Sequence, residues 1–202
     1  MDSTSHSADD LTIGVLALQG AFDAHRRMLQ RVGVQTQLVR KPEQLEQVDG
    51  LVIPGGESTT FLKHLERAGF FEALRTFVQK APTFGTCAGV ILLAKRVLSP
   101  AQPSLEALDV TVERNAYGRQ NDSRILQAET TLPGGPIEMV YIRAPRITDT
   151  GDGVQVLAQR DGSPTLVRQN HLLAATFHPE LSHDTRVHQL FVDMVNASRA
   201  SR

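Results

Sequence analysis

Cys87 is the only cysteine of the chain and lies in Phe84-Gly85-Thr86-Cys87-Ala88-Gly89, between a short apolar run and a longer one. A thiol flanked by glycines at a strand-to-helix turn is held up and exposed, which is how a nucleophile is presented. At the start of a helix the aligned peptide dipoles also favour the thiolate. The structural alternative is a small buried hydrophobe whose glycines merely serve a tight turn. Downstream, again directly after an apolar run (Leu172 to Phe177), comes His178-Pro179-Glu180. In an extended segment residues two apart share a side, so Glu180 can reach the His178 imidazole, set its tautomer and stabilise its charged form. Nucleophile, base and orienting carboxylate are the parts of covalent acyl-transfer chemistry. Of the seven histidines, His6, His25, His64, His171, His183 and His188 read as structural or exposed.

A third segment, Pro54-Gly55-Gly56-Glu57-Ser58-Thr59, carries paired glycines. Such glycines let backbone N–H groups point into a cleft and hold the oxyanion of a tetrahedral intermediate. The same residues also suit a plain helix start, with Ser58 or Thr59 as the cap and Glu57 favoured by the dipole.

Positioning these groups requires strands that end together. Thr12 to Leu18, Gln35 to Val39, Leu51 to Ile53 and Thr83 to Thr86 read as strands. They alternate with helical patterns over Ala21 to Val32, Thr59 to Gly69, Phe70 to Gln79 and Ala88 to Val97. This βα alternation predicts an α/β fold, a mostly parallel sheet with helices on both faces. From Asp109 onward the pattern becomes antiparallel: short runs at Leu108 to Val112, Ile125 to Leu132 and Met139 to Ile142, then a hairpin. In that hairpin Val154 to Gln159 and Thr165 to Gln169 flank Asp161-Gly162-Ser163-Pro164. Leu172 to Phe177 is a last strand and Thr185 to Ser198 a closing helix. Gln19-Gly20, Pro54 to Thr59, Gly85 to Gly89 and His178 to Glu180 all fall at the carboxyl ends of strands, where open α/β sheets collect ligands.

The 202 residues suit one domain over 11–202 after a polar, disordered tail at 1–10. A net charge of −1 gives no bulk attraction to nucleic acid or to an anionic membrane. No apolar run approaches the roughly 20 residues that cross a bilayer. The first ten residues lack the basic-then-apolar order of a secretory signal, so the expected location is cytoplasmic. Cysteine and histidine show no zinc-type spacing, and the chemistry outlined above requires no metal or organic cofactor.

Taken together, the G-x-C-x-G turn, the upstream P-G-G-E-S and the downstream H-P-E resemble the class I, triad-type glutamine amidotransferases, whose fold is flavodoxin-like. Most members carry Leu after the cysteine, whereas this chain has Thr86-Cys87-Ala88-Gly89. That variant resembles the glutaminase subunits of pyridoxal 5′-phosphate synthases. So do Leu16-Ala17-Leu18-Gln19-Gly20, Pro54 to Thr60, Val112-Glu113-Arg114-Asn115, Tyr117-Gly118-Arg119-Gln120 and Ile142-Arg143-Ala144-Pro145. The resemblance spans Thr12 to about Val195.

It implies Cys87 as nucleophile, His178 as general base and then acid, and Glu180 as its orienter. The implied oxyanion donors are the backbone N–H groups of Gly56 and Ala88. L-Glutamine would be held by Gly56, Glu57, Ser58, Arg114, Ile142 and Arg143. An acid and a base answer its α-ammonium and α-carboxylate. The implied partner is a ring-forming synthase subunit that receives the ammonia, and Gln19-Gly20 with the Gly55-Gly56 peptide would respond to its docking. Three other readings stay open on the sequence alone: an amidotransferase of histidine or aromatic biosynthesis, a free-standing γ-glutamyl cysteine hydrolase, and a non-catalytic protein on the same fold.

Overall fold

The structure, a computed structural model, describes residues 11–114 and 124–201. The N-terminal tail, Asn115 and the Tyr117-Gly118-Arg119-Gln120 segment lie outside the described residues. The first part of the chain alternates β1 (Thr12–Leu16), α1 (Phe22–Arg31), β2 (Gln35–Val39), β3 (Gly50–Ile53), α2 (Ser58–Arg67), α3 (Phe70–Val78), β4 (Thr83–Thr86) and α4 (Ala88–Leu93). Then follow β5 (Ala94–Leu98), β6 (Leu108–Glu113), β7 (Arg124–Ala128), β8 (Ile137–Tyr141) and β9 (Arg146–Thr150). After them come β10 (Gln155–Arg160), β11 (Ser163–Gln169), β12 (Leu172–Ala175) and α5 (Arg186–Ala200).

A seven-stranded sheet in the order β10-β11-β12-β4-β3-β1-β2 forms the centre. From β12 to β2 every pairing is parallel, and β11 and β10 add antiparallel strands at one edge. A three-stranded sheet (β5-β6-β9) and a two-stranded one (β7-β8) complete the described strands.

Strands buried on both faces should be apolar throughout, with successive residues feeding opposite cores. In β3, Leu51 and Ile53 enter one cluster and Val52 the other. In β12, Leu172 and Ala174 alternate in the same way with Leu173 and Ala175. The first cluster is closed by α2, α3 and α4 through residues such as Phe61, Leu74 and Val90. The second is closed by α1 and α5 through Leu29, Val187 and Phe191. Helices therefore cover both faces, as the alternation predicts.

Three expectations need correction. The helix predicted over Ala88 to Val97 stops at Leu93, and the chain turns into β5, which pairs in parallel with β6. The reason is burial. Every residue from Ala88 to Leu93 is buried, so a further helical turn would have carried Lys95 and Arg96 inward, whereas in β5 both are exposed. The strand β9 has no counterpart among the expected strands. The hairpin turn is also tighter than expected. Asp161 and Gly162 take φ of 49° and 76°, the positive pair of a two-residue turn, so Ser163 and Pro164 already belong to β11. Pro164 lies beyond the stretch of β11 paired with β12, so its missing N–H costs that ladder nothing.

Candidate active site

Four parallel strands, β12, β4, β3 and β1, lie side by side, so the loops leaving their carboxyl ends lie side by side as well. β4 is central. The loop after it carries Cys87, and it is flanked by His178 after β12 and by Gly55 and Gly56 after β3. The strand order alone thus sets base, nucleophile and glycine loop in a row.

Cys87 has φ 49° and ψ −104°, a conformation that costs a non-glycine residue about 1–3 kcal/mol. It is held there by its N–H on the Ala175 carbonyl (2.9 Å) and by its own carbonyl, which accepts from Val90 N–H (3.1 Å). The strain sits on the cysteine. Gly85 and Gly89 do not take positive φ. They serve close packing, since a Cβ on Gly85 would lie 2.8 Å from the Gly89 backbone. Because α4 has only six residues, its dipole is a lesser aid to the thiolate than the longer helix expected would have been. The nearer positive group is His178.

His178 N–H donates to the Val140 carbonyl of β8 (2.8 Å), which fixes the backbone of the base. Pro179–Leu181 forms a 3-10 turn, so His178-Pro179-Glu180 is not the extended segment expected. The turn still returns the Glu180 carboxylate to the ring, with Nδ1 2.7 Å from Oε1. All three side chains are buried, at 6–7% exposure for their residues. Burial pushes the His178 imidazole down, but the hydrogen bonds to Cys87 and Glu180, with their charges, outweigh it and raise it to about 10. Burial likewise pushes Glu180 up, and His25 and His178 more than offset this and hold it at about 2. At neutral pH the site therefore holds an imidazolium against the Glu180 carboxylate.

Gly55 is the floor between base and nucleophile. A Cβ there would lie 2.7 Å from His178 Cε1 and 2.9 Å from Cys87 Cβ, so only glycine lets both side chains close on the loop. The Gln19 side chain lies directly against Gly56, and Gly20 against the Gly55 carbonyl.

A cavity of about 440 Å³ opens in front of Cys87 and His178. Its lining includes Gly56, Glu57, Ser58, Arg114, Ile142 and Arg143, all the residues expected to hold substrate. Glu57 has a second task. Its carboxylate accepts from Thr59 N–H (2.9 Å) and Thr60 N–H (2.7 Å), which makes it the N-cap of α2 in place of Ser58 or Thr59. The Thr60 side chain and these backbone bonds hold Glu57 at about 2, so it faces the cavity as an anion. Arg114 Nη2 donates to Ser58 Oγ (2.8 Å) and Thr59 Oγ1 (3.0 Å), while its buried Nε has no partner among the described residues. Ile142, 41% exposed, stands at the rim beside Arg143, whose φ is 48°. Ala88, the first residue of α4, is buried beside Cys87, and the first N–H groups of a helix have no intrahelical partner.

Two histidines read from sequence as structural stand close behind this site. His25 of α1 and His188 of α5 are fully buried, and His25 Nε2 lies 3.3 Å from Glu180 Oε2. A signal existed. Position 25 falls on the same helical face as Phe22 and Leu29, and position 188 beside Val187 and Phe191, so both histidines occupy apolar positions.

A family model described as the SNO glutamine amidotransferase family matches residues 15–197. A pyridoxal 5′-phosphate synthase subunit PdxT from Koribacter versatilis (strain Ellin345) is 65% identical over 185 residues, covering 92% of this chain and 96% of its own. A crystal structure of a glutamine amidotransferase, 44% identical, superposes with a TM-score of 0.84 over 91% of this chain and 98% of that one. A glutamine amidotransferase from Thermotoga maritima superposes with a TM-score of 0.59 over 94% of this chain and 86% of its own, but at 12% identity it shows the fold alone. With the family's pattern running through nearly the whole described fold, and with this identity to a relative of almost the same length, the chain belongs to the SNO glutamine amidotransferase family.

Proposed function

We propose that Cys87, His178 and Glu180 are the catalytic triad of this glutaminase, and that Gly56, Glu57, Ser58, Arg114, Ile142 and Arg143 hold L-glutamine. The chain is a glutamine amidohydrolase of pyridoxal 5′-phosphate synthesis. The observation that carries the assignment of roles is the pairing of His178 with Glu180 (2.7 Å) together with the meeting of His178 and Cys87 over Gly55, where a Cβ would lie 2.7 Å from the ring and 2.9 Å from Cys87 Cβ.

The Cys87 thiolate attacks the carboxamide carbon of glutamine, and the carbonyl oxygen becomes an oxyanion received by the Gly56 and Ala88 N–H groups. Its collapse breaks the C–N bond as the His178 imidazolium gives the nitrogen its proton, so ammonia leaves and a γ-glutamyl thioester remains. With the sulfur acylated, His178 loses one of the anions that raise it, and it can act as a base. It takes a proton from water, the hydroxide attacks the thioester, the C–S bond breaks and glutamate departs. Glu57 answers the α-ammonium. Arg114, whose Nε has no partner among the described residues, and Arg143 answer the α-carboxylate.

Ammonia then passes to a ring-forming synthase subunit, in keeping with the description of the PdxT relatives as synthase subunits. Docking of that partner would act on Gln19-Gly20 and the Gly55-Gly56 peptide, which touch one another. The work is cytoplasmic in this reading. Among the described residues no helix is long and apolar enough to cross a membrane.

Cys87→Ala tests the assignment. Glutamate release, measured with the synthase subunit present, falls to background, while synthesis fed with ammonium salt continues. An electrophilic glutamine analogue adds its mass to the wild-type protein at Cys87 and not to the variant. Retained glutamate release in Cys87→Ala would overturn the mechanism.

A further inference from the structure

Behind the triad, the second oxygen of the Glu180 carboxylate is buried away from His178 and from solvent. His25 stands beside it, with Nε2 3.3 Å from Oε2 and 3.0 Å from Oγ1 of Thr86, the residue before Cys87. The Thr86 contact is the hydrogen bond of the two, and Oε2 has no hydrogen-bond partner among the described residues, His25 being its close polar neighbour. On its far side, His25 Nδ1 lies 2.9 Å from His188 Nε2. His25 and Glu180 side chains are both at 0% exposure.

The set of contacts admits one good tautomer. If His25 carried its proton on Nδ1, its Nε2 lone pair would face a carboxylate oxygen. His188 would then accept at Nε2 and bury an N–H at Nδ1, which has no partner among the described residues. With the proton on Nε2, His25 donates its N–H to Thr86 Oγ1, with Glu180 Oε2 3.3 Å from the same nitrogen, and its Nδ1 accepts from His188 Nε2–H. The buried atoms then left without a bond among the described residues are acceptors, a His188 Nδ1 lone pair and Glu180 Oε2, and not a ring N–H.

We propose that His25, held in its Nε2–H tautomer by His188, is a positioning residue that fixes the Glu180 carboxylate between the nucleophile turn and the base. The proposal rests on the triad reading above. A neutral donor suits the task better than a cation. It sets an N–H dipole beside a buried oxygen without forming a rival ion pair, so the full negative charge remains available to His178. Burial pushes both His25 and His188 down, in keeping with neutral rings. The groups facing His25 are Glu180 from the 3-10 turn, with His178 beyond it, His188 from α5, and the uncharged Phe84 and Thr86 from β4. The Phe84 ring is nearly perpendicular to both histidine rings, at centroid distances of 6.0 and 5.7 Å, and packs an apolar surface against them.

The test compares His25→Leu, which removes the donor, with His25→Gln, whose amide N–H can take the place of Nε2–H. Glutamine turnover is measured with the synthase subunit present. His25→Leu should lower kcat about 10- to 100-fold with KM changed less than about twofold, and His25→Gln should restore kcat to within about threefold of wild type. In His25→Leu the acid limb of kcat/KM should move to higher pH, because Glu180 stays buried and loses a donor that favours its charged form. A residue that served packing alone would lower thermal stability and leave kcat and the acid limb unmoved.

A folded His25→Leu with wild-type kcat and acid limb overturns the proposal, as does a glutamine variant no better than leucine. If the leucine variant does not fold, nitrogen-15 NMR of the histidine rings in the wild-type protein still decides. Protons on Nε2 of both His25 and His188 support the proposal, and a proton on Nδ1 of His25 overturns it. These spectra can also be recorded on Cys87→Ala, so failure of the triad reading and failure of the His25 reading appear in different measurements.

Discussion

Replacing Gly55 with alanine places one methyl group between the proposed base and nucleophile. The backbone of Gly55 does not take positive φ, so the substitution strains no dihedral. What it creates is contact: the new carbon would lie 2.7 Å from His178 Cε1 and 2.9 Å from Cys87 Cβ. Carbon atoms are comfortable at about 3.5 Å or more, so one or both side chains must retreat by about 0.6–0.8 Å. Neither is free to do so without cost. His178 is pinned through Nδ1 on Glu180 at 2.7 Å, and Cys87 Cβ is fixed by a turn closed on Ala175 and Val90. A misplacement near 1 Å in a reacting pair costs on the order of 100-fold in rate, equivalent to about 2.7 kcal/mol of barrier. Gly55→Ala should therefore lower glutaminase kcat about 100-fold, and overpacking should lower stability by about 1–3 kcal/mol. Gly33→Ala is the control. Gly33 has φ of 82° and, among the described residues, nothing within 4 Å of an added Cβ, so it should lose about 1–2 kcal/mol of stability from backbone strain and no activity. The assays are steady-state glutamate release with the synthase subunit present and thermal unfolding of each variant. A folded Gly55→Ala within twofold of wild-type kcat would refute the reasoning.

The pH dependence follows from the raised and lowered groups. His178 sits at about 10 against an ordinary 6.5, and the imidazolium must donate to the leaving ammonia, so kcat/KM should hold from neutral pH upward and fall through about 10. For folding, the same shift contributes stability that is complete below 6.5 and lost as pH rises through about 10. Glu180, lowered from 4.5 to about 2, contributes stability that is complete above 4.5 and lost as pH falls toward about 2. A kcat/KM that already declines near 7 would contradict the imidazolium assignment. Arg114→Met removes a proposed contact to the substrate carboxylate, worth about 1.5–3 kcal/mol for a charged hydrogen bond, so KM for glutamine should rise about 10- to 100-fold. Because that bond is made equally in ground and transition states, kcat should change far less, and a loss confined to kcat would assign Arg114 a different role.

Much of the fold can be read locally because its signals are local. The runs that become β2 and β4 are bounded correctly by composition, since they are short and flanked by Gly, Pro or charged residues such as Gly33, Arg40 and Pro82. The end of α4 is hidden for a tertiary reason. The apolar run Ala88 to Ala94 gives no sign of where a buried helix must end, and the exposed pair Lys95-Arg96 decides it only once β6 is there to accept β5. Likewise β9 (Arg146–Thr150) has a mixed polar pattern and exists as a strand because β6 pairs with it. The arrangement of strands that aligns the four loops is a property of the crossovers, which no single segment encodes.

The proposed site divides along the same line. Cys87, His178 and Glu180 can be picked out because each stands in a turn whose chemistry is unusual in itself. His25 is the opposite case. On α1 it is a histidine at an apolar helical position, and such a residue is most often one more member of a core. What distinguishes it is the company it keeps: Thr86 comes from β4, Glu180 from the turn after β12, and His188 from α5, so four elements from three separate parts of the chain meet at one ring. A buried polar group in an apolar layer costs stability unless every bond is made. Two histidines packed against Phe84 are thus a standing cost to this core, one that leucine at a single position would not remove because the other ring would lose its partner. The sequence places both at the spots where their single satisfied tautomer ends on the carboxylate that orients the base. Core packing alone gives no reason for that coincidence, whereas a requirement for one fixed orientation of Glu180 does.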